Sequence, residues 1–128
     1  MKKISKWDAF KSKEYTLEDM GRAAIFLLPS LKLKKKVGKE TLEKNLESFL
    51  KKHFGGGTTS LVPKFGFWVN GEKVEYDESR EYKVSFVGKE RIPLLVRKVA
   101  SIARLMNEKA VYFEAGQYAC LIKPKTKK

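Results

Sequence analysis

The pair Asn70-Gly71 constrains this chain more than any other feature. It stands between two runs that alternate apolar and polar residues, Lys64–Val69 and Glu72–Tyr76. Asn-Gly in that setting predicts a β-hairpin with a two-residue turn. Folding there pairs Val69 with Glu72, Trp68 with Lys73, Phe67 with Val74 and Phe65 with Tyr76. Side chains alternate along a strand, so Phe65, Phe67, Val74 and Tyr76 share one face while Trp68, Gly66 and Lys64 take the other. The Phe-rich face is expected on the core side, which leaves Trp68 on the open side of a sheet beside Lys64 and Lys73.

The remaining segments sort themselves around that hairpin. The apolar run Ala23–Leu28, closed by Pro29-Ser30, suits a buried strand or a helix by periodicity alone. The alternation Leu31-Lys-Leu-Lys34 favours a strand continuing outward, with a helix over 17–28 as the alternative. Thr16-Leu-Glu-Asp19 has the form of a capping box and predicts a helical turn from Leu17. Leu42, Leu46, Phe49, Leu50 and His53 or Phe54 recur at helical spacing, with charged residues opposite and Gly55 placed as a left-handed cap. Asp77-Glu-Ser79 reads as a turn into a strand over Arg80–Val87. A second helix is predicted from about Glu90, with Pro93 harmless in its first turn and Leu95, Val99, Ile102, Ala103 and Met106 as its buried stripe. Ala110–Ile122 reads as two short strands around Ala115-Gly116, with Val111, Phe113, Tyr118, Cys120 and Ile122 on one face.

That order, β-α-β-β-α-β, is the split βαβ or ferredoxin-like arrangement, an α+β fold with two helices on one face of an antiparallel sheet. The length fits a single domain over 16–122, preceded by a basic arm over 1–15, docked or disordered, and followed by a basic tail over 123–128.

The chain carries 28 Lys and Arg against 15 Asp and Glu, a net charge of +13, and the excess is localised. It sits in the arm (Lys2, Lys3, Lys6, Lys11, Lys13), in the loop Lys32, Lys34, Lys35, Lys36 and Lys39, and in the tail Lys123, Lys125, Lys127 and Lys128. Basic ends and a basic loop suit a polyanionic partner, and they equally suit solubilising ends. The single cysteine, Cys120, excludes an internal disulfide and a cysteine-rich zinc site; it fits a reducing, cytoplasmic setting and a buried structural thiol. No apolar run reaches the length of a membrane span, and Asp8, Lys11 and Lys13 interrupt any signal-peptide pattern.

Phe54-Gly-Gly-Gly-Thr-Thr59, Gly66-Phe-Trp68, Asn70-Gly-Glu72 and a second helix ending in Asn107-Glu-Lys-Ala-Val111 together resemble a widespread group of small uncharacterised proteins of bacteria and mobile genetic elements. The resemblance runs from about Ile25 to Ile122 and implies a ferredoxin-like fold without an established activity. Asn107-Glu108 departs from the group, where a Gln is usual. A second likeness, of Lys64-Phe-Gly-Phe-Trp-Val69 to the aromatic strand of RNA-recognition motifs, is set aside. In that family the strand is the third and its aromatics face the open side.

Catalytic patterns are sparse. A phosphate loop needs a strand before it and a helix after it, whereas Gly55, Gly56, Gly57, Thr58 and Thr59 follow a helix and precede a strand. They read mainly as a cap and turn, with a ligand loop as the weaker alternative. His53 lies on the apolar helix stripe and reads as packed. Glu72, Glu75, Asp77, Glu78 and Glu81 read as a solvated cluster rather than an acid/base pair. Neither metal nor cofactor is expected. The sequence therefore predicts a binding protein, homo-oligomeric and most simply a dimer, holding nucleic acid through Lys32, Lys34, Lys35, Lys36, Lys64, Trp68 and Lys73. A protein-interaction module with incidental basic tails is the rival, and a small-molecule or enzymatic role at the glycine loop stands third.

Overall fold

The computed structural model describes residues 7–60, 62–86 and 88–125. Lys2, Lys3, Lys6, Lys127 and Lys128, part of the predicted polyanion-binding ends, lie outside them. Eight strands and two α-helices follow in the order β1 (Arg22–Pro29), β2 (Lys36–Val37), β3 (Glu40–Thr41), α1 (Leu42–Phe54), β4 (Thr58–Thr59), β5 (Lys64–Asn70), β6 (Lys73–Phe86), α2 (Arg91–Leu105), β7 (Val111–Ala115) and β8 (Tyr118–Ile122).

The main sheet runs β4-β6-β1-β7-β8, with β5 also paired to β6 and every pairing antiparallel. Its core face carries Ala24, Phe26 and Leu28 from β1, Tyr82, Val84 and Phe86 from β6, and Val111 and Phe113 from β7, all buried. Phe26 is fully enclosed, its ring stacked on Tyr82 at 5.3 Å and on Phe113 at 6.4 Å. Both helices lay their apolar stripes on this face: Leu42, Leu46 and Leu50 from α1, and Leu95, Val99, Ile102 and Ala103 from α2. The α+β class, the antiparallel sheet and the two helices are as the sequence predicts.

The helix ends explain why the helices begin and stop where they do. Thr41 caps α1, its hydroxyl accepting from the Lys44 amide at 3.1 Å, and Gly55 closes it at φ 76°. Helix α2 ends in a Schellman motif: the Glu108 amide donates to the Ala103 carbonyl and the Asn107 amide to the Arg104 carbonyl, with Asn107 at φ 64°. His53 packs on Phe49, ring centroids 4.6 Å apart, as its place on the apolar stripe predicts.

Five local expectations are corrected. Residues 16–20 form no helical turn; the first apolar run is strand β1. Beyond Ser30 the chain does not continue that strand but makes a 3-10 turn over Lys32–Lys34 that buries Leu33. Asp77-Glu-Ser79 is not a turn. The ladder runs through it, pairing Ser79 with Pro29 on one side and Lys64 on the other, so β6 is continuous over 14 residues. Cys120 is exposed, not buried, because it lies on the edge strand β8.

The fifth concerns the hairpin. Its two-residue loop is Gly71-Glu72, and the pairs are Asn70 with Lys73, Val69 with Val74, Trp68 with Glu75 and Phe67 with Tyr76. Gly71 takes φ 67°, the conformation required where glycine leads the turn. Sliding the turn by one residue moves each pairing by two, so the predicted face assignment survives. Its predicted environment does not. Phe65 and Phe67 are 78% and 72% exposed, because β1 ends at Pro29 opposite Ser79 and the hairpin projects beyond it.

A candidate functional site on the open face of the sheet

The projecting hairpin raises a wall beside the sheet face that carries no helix. Trp68 faces that side, and its indole Nε1 donates to Asp77 Oδ2 at 2.9 Å. Gly66, directly opposite Asp77, makes this bond possible. A Cβ there would stand 2.7 Å from Asp77 Oδ1 and 3.4 Å from Trp68 Nε1. Glu75 pairs across the strands with Trp68 and completes the wall.

Leu27 and Pro29, on the open side of β1, form the floor of the resulting cleft of about 330 Å3. Tyr112 and Leu121 from β7 and β8 close the far side, with Glu108 at the rim. The pairing of β1 with β7 sets Tyr112 on the open face. The Schellman turn of α2 delivers Glu108, whose carboxylate is held by Lys32 at 2.6 Å. The Tyr112 hydroxyl donates to Glu114 Oε1 at 2.5 Å, and this bond, reinforced by partial desolvation and the neighbouring charge, raises its pKa above the ordinary tyrosine value. Tyr112 therefore remains a neutral proton donor through the physiological range.

The cleft is acidic on a strongly basic chain. Glu75, Asp77 and Glu108 line it together with an indole and a phenol. Carboxylates beside an aromatic face suit an organic cation, which the ring quadrupole and the negative charges both attract.

Three of the residues predicted to hold nucleic acid are engaged by other groups of the chain. Lys32 is paired with Glu108, Lys35 Nζ donates to the Leu105 carbonyl at 2.9 Å, and Lys64 lies 3.4 Å from Glu81. Lys34 ends the 3-10 turn, Lys36 lies in the two-residue strand β2, and Lys73 stands at the hairpin tip opposite Asn70 rather than Trp68. The acidic partners that cluster around Trp68 would repel phosphate.

The glycine loop is chiefly structural. Gly55 caps α1, and the Gly56 amide donates to the Leu50 carbonyl. Gly57 presses on the sheet so closely that a Cβ would meet Val84 Cγ1 at 2.9 Å and the Lys83 carbonyl at 3.2 Å. Thr58 and Thr59 add the short strand β4 to the edge of β6. Among the described residues no group of three or more His, Cys, Asp or Glu is arranged to hold a metal, and no helix is long and apolar enough to cross a membrane.

Sequence reasoning missed Asp77, Glu75, Glu108 and Tyr112. The available signals were a glycine two residues before a tryptophan, with acids following at the distance a hairpin brings back, and an asparagine in the left-handed position that ends α2.

Comparison with known proteins places the fold. No family model and no curated protein matches the chain. Two solved structures do, both of a phage SAM lyase. One, in complex with S-methyl-5'-thioadenosine, is 14% identical with a TM-score of 0.59 over 91% of this chain and 100% of the other. The other, in the apo state, is 15% identical with a TM-score of 0.57 over 89% of this chain and 100% of the other. At these identities the likeness shows a shared fold. It also corrects the expectation of a nucleic-acid-binding protein, since the matching structures are of an enzyme.

Proposed function

We propose that this chain is a small enzyme that binds S-adenosylmethionine, or a closely related sulfonium compound, in the open-face cleft and cleaves it as a lyase. The observation that carries the reading is the convergence of Trp68, Glu75, Asp77 and Glu108 on one cleft of a chain whose net charge is +13. The fold shared with a SAM lyase over nine-tenths of the chain supports it. We also read the strand order as the ferredoxin-like β-α-β-β-α-β arrangement, extended by β8 at one edge.

In this reading Trp68 offers its ring to the cationic centre or the adenine base, and Asp77 fixes the indole plane. Glu75 attracts the ligand's positive charge, with Glu108 already held by Lys32, and the neutral Tyr112 hydroxyl, whose proton goes to Glu114, accepts from a donor on the ligand. Cleavage breaks one carbon–sulfur bond, with both electrons passing to sulfur, which leaves as a neutral thioether. The carbon fragment is completed by closing on its own carboxylate oxygen or by losing a proton to solvent. Positive charge on sulfur disappears along this path, so the apolar floor of Leu27, Pro29 and Leu121 favours the reaction while the carboxylates favour binding. Replacing a carboxylate that holds substrate and transition state alike raises KM with little change in kcat.

The test is incubation of the purified chain with S-adenosylmethionine, with thioether release followed by chromatography and binding followed by calorimetry. The expected result is release of S-methyl-5'-thioadenosine, with Glu75→Gln raising KM on the order of tenfold or more, the loss of one charge-assisted contact. Neither binding nor turnover by the wild-type chain would overturn the proposal.

A further inference from the structure

The back of the same hairpin presents a different chemistry. Opposite the Trp68 face, Phe65, Phe67, Val69, Val74 and Tyr76 stand between 49% and 78% exposed, and none belongs to the core. They continue the core face of the sheet past the point where β1 ends. Two strands with nothing behind them are marginally stable in water, and a contiguous apolar face of this kind marks a contact surface.

The chain also carries a surface complementary to it. At the opposite end of the sheet a cavity of about 340 Å3 opens between α2 and β8, lined by Phe86, Ile92, Val96, Phe113 and Cys120 and rimmed by Arg22 and Lys89. The hairpin departs where Pro29 pairs with Ser79, whereas the cavity lies where Arg22 pairs with Phe86. Seven residues of strand separate the two ends, roughly 23 Å at about 3.3 Å per residue. The arm therefore projects away from its own cavity.

Charge selects the occupant. Glu75 and Asp77 turn to the Trp68 side together with Lys64 and Lys73, which leaves Glu78 on the apolar face and Glu72 at the tip, an acidic edge without a lysine on a chain of net charge +13. Two copies meeting through their basic surfaces would repel one another. An acidic apolar arm meeting an apolar cavity rimmed by Arg22 and Lys89 brings opposite charges together.

We infer that the arm docks into the cavity of a second copy of this chain, giving a head-to-tail assembly. The contact is heterologous, so each copy offers one arm and one cavity, and the assembly closes as a ring or grows. It covers the back of the wall that carries Trp68 and Asp77, and it stands whether or not the cleft binds a sulfonium compound.

The experiment is sedimentation velocity on the full chain across a concentration series. The wild type is expected to sediment at a multiple of its 14.7 kDa chain mass. Phe67→Glu in the arm and, separately, Cys120→Arg in the cavity are each expected to reduce it to a single chain with an unchanged circular dichroism spectrum. Tyr76→Lys serves as a second arm variant. Mixed in equal amounts, Phe67→Glu and Cys120→Arg retain one intact cavity and one intact arm between them, so a species of twice the chain mass should return. A wild type that stays monomeric at every concentration overturns the inference, as does an oligomer that survives both arm variants.

Discussion

Strand β6 is two strands in one. From Ser79 to Phe86 it pairs with β1 along its length and with β4 at Tyr82 and Lys83, and its side chains Tyr82, Val84 and Phe86 are buried under the helices. From Lys73 to Glu78 the alternation continues without a break, yet Val74 and Tyr76 on the same face are 49% and 76% exposed. Alternation assigns a residue to a face, whereas burial depends on whether anything covers that face. Here β1 ends at Pro29 and the helices pack over the inner half, so the same pattern yields a core in one place and a projecting arm in the other.

The largest expected difference between the halves is in their cost of truncation. Phe26→Ala, opposite Tyr82 in the inner half, should destabilise the chain by about 3–5 kcal/mol, because the ring is fully enclosed and its neighbours cannot collapse around the void. Phe67→Ala, opposite Tyr76 in the outer half, should change the stability of the dissociated chain by no more than about 0.5 kcal/mol. Urea denaturation below the association range measures both. Comparable costs at the two positions would mean that the arm is packed against the body of its own chain.

A smaller difference is expected from added bulk. Gly57→Ala drives a methyl group into Val84 and the Lys83 carbonyl, part of the sheet backbone, and should cost about 1–3 kcal/mol. Gly66→Ala meets the end of the Asp77 side chain, which can swing aside, so stability should change by less than about 1 kcal/mol. The Trp68–Asp77 bond is lost instead, and the expected readout is a shifted indole fluorescence maximum together with weakened binding in the cleft. Unfolding on Gly66→Ala would show that the arm is rigid where its exposure says it is free.

The inner half of the molecule was the legible half. Periods of 3.6 in α1 and α2, Gly55 at a helix end and the alternation of Tyr82, Val84 and Phe86 in β6 are local signals, and the apolar residues that carry them are those buried together. The hairpin faces were legible for the same reason, since parity survives a slip of the turn. What the sequence does not encode locally is neighbourhood. Tyr112 reaches the cleft because β7 pairs with β1, Glu108 because α2 ends in a Schellman turn, and Asp77 because an indole two strand positions past a glycine takes its carboxylate. The acids near Asp77 read as a turn because their types favour turns, and the pairing of Ser79 with Pro29 and Lys64 overrides that preference.

The smallest and most selective difference lies in a single hydroxyl. Tyr82 is 2% exposed, and among the described residues its hydroxyl has no partner at hydrogen-bonding geometry. Burial raises its pKa above the ordinary 10.0, and the nearby Arg80 guanidinium offsets part of that rise. A folded-state pKa above the unfolded value favours the protonated form in the folded chain. That contribution is complete below pH 10.0 and is lost as pH rises through the folded-state pKa, because the unfolded chain releases its proton first. Tyr82→Phe removes a buried polar atom without emptying its space, so at neutral pH stability should stay within about 1 kcal/mol of wild type. In the alkaline limb the variant should lose stability less steeply than wild type, as followed by urea midpoints at a series of pH values above 9. Parallel limbs would show that the hydroxyl reaches solvent, and the inner half of β6 would then be less sealed than its packing indicates.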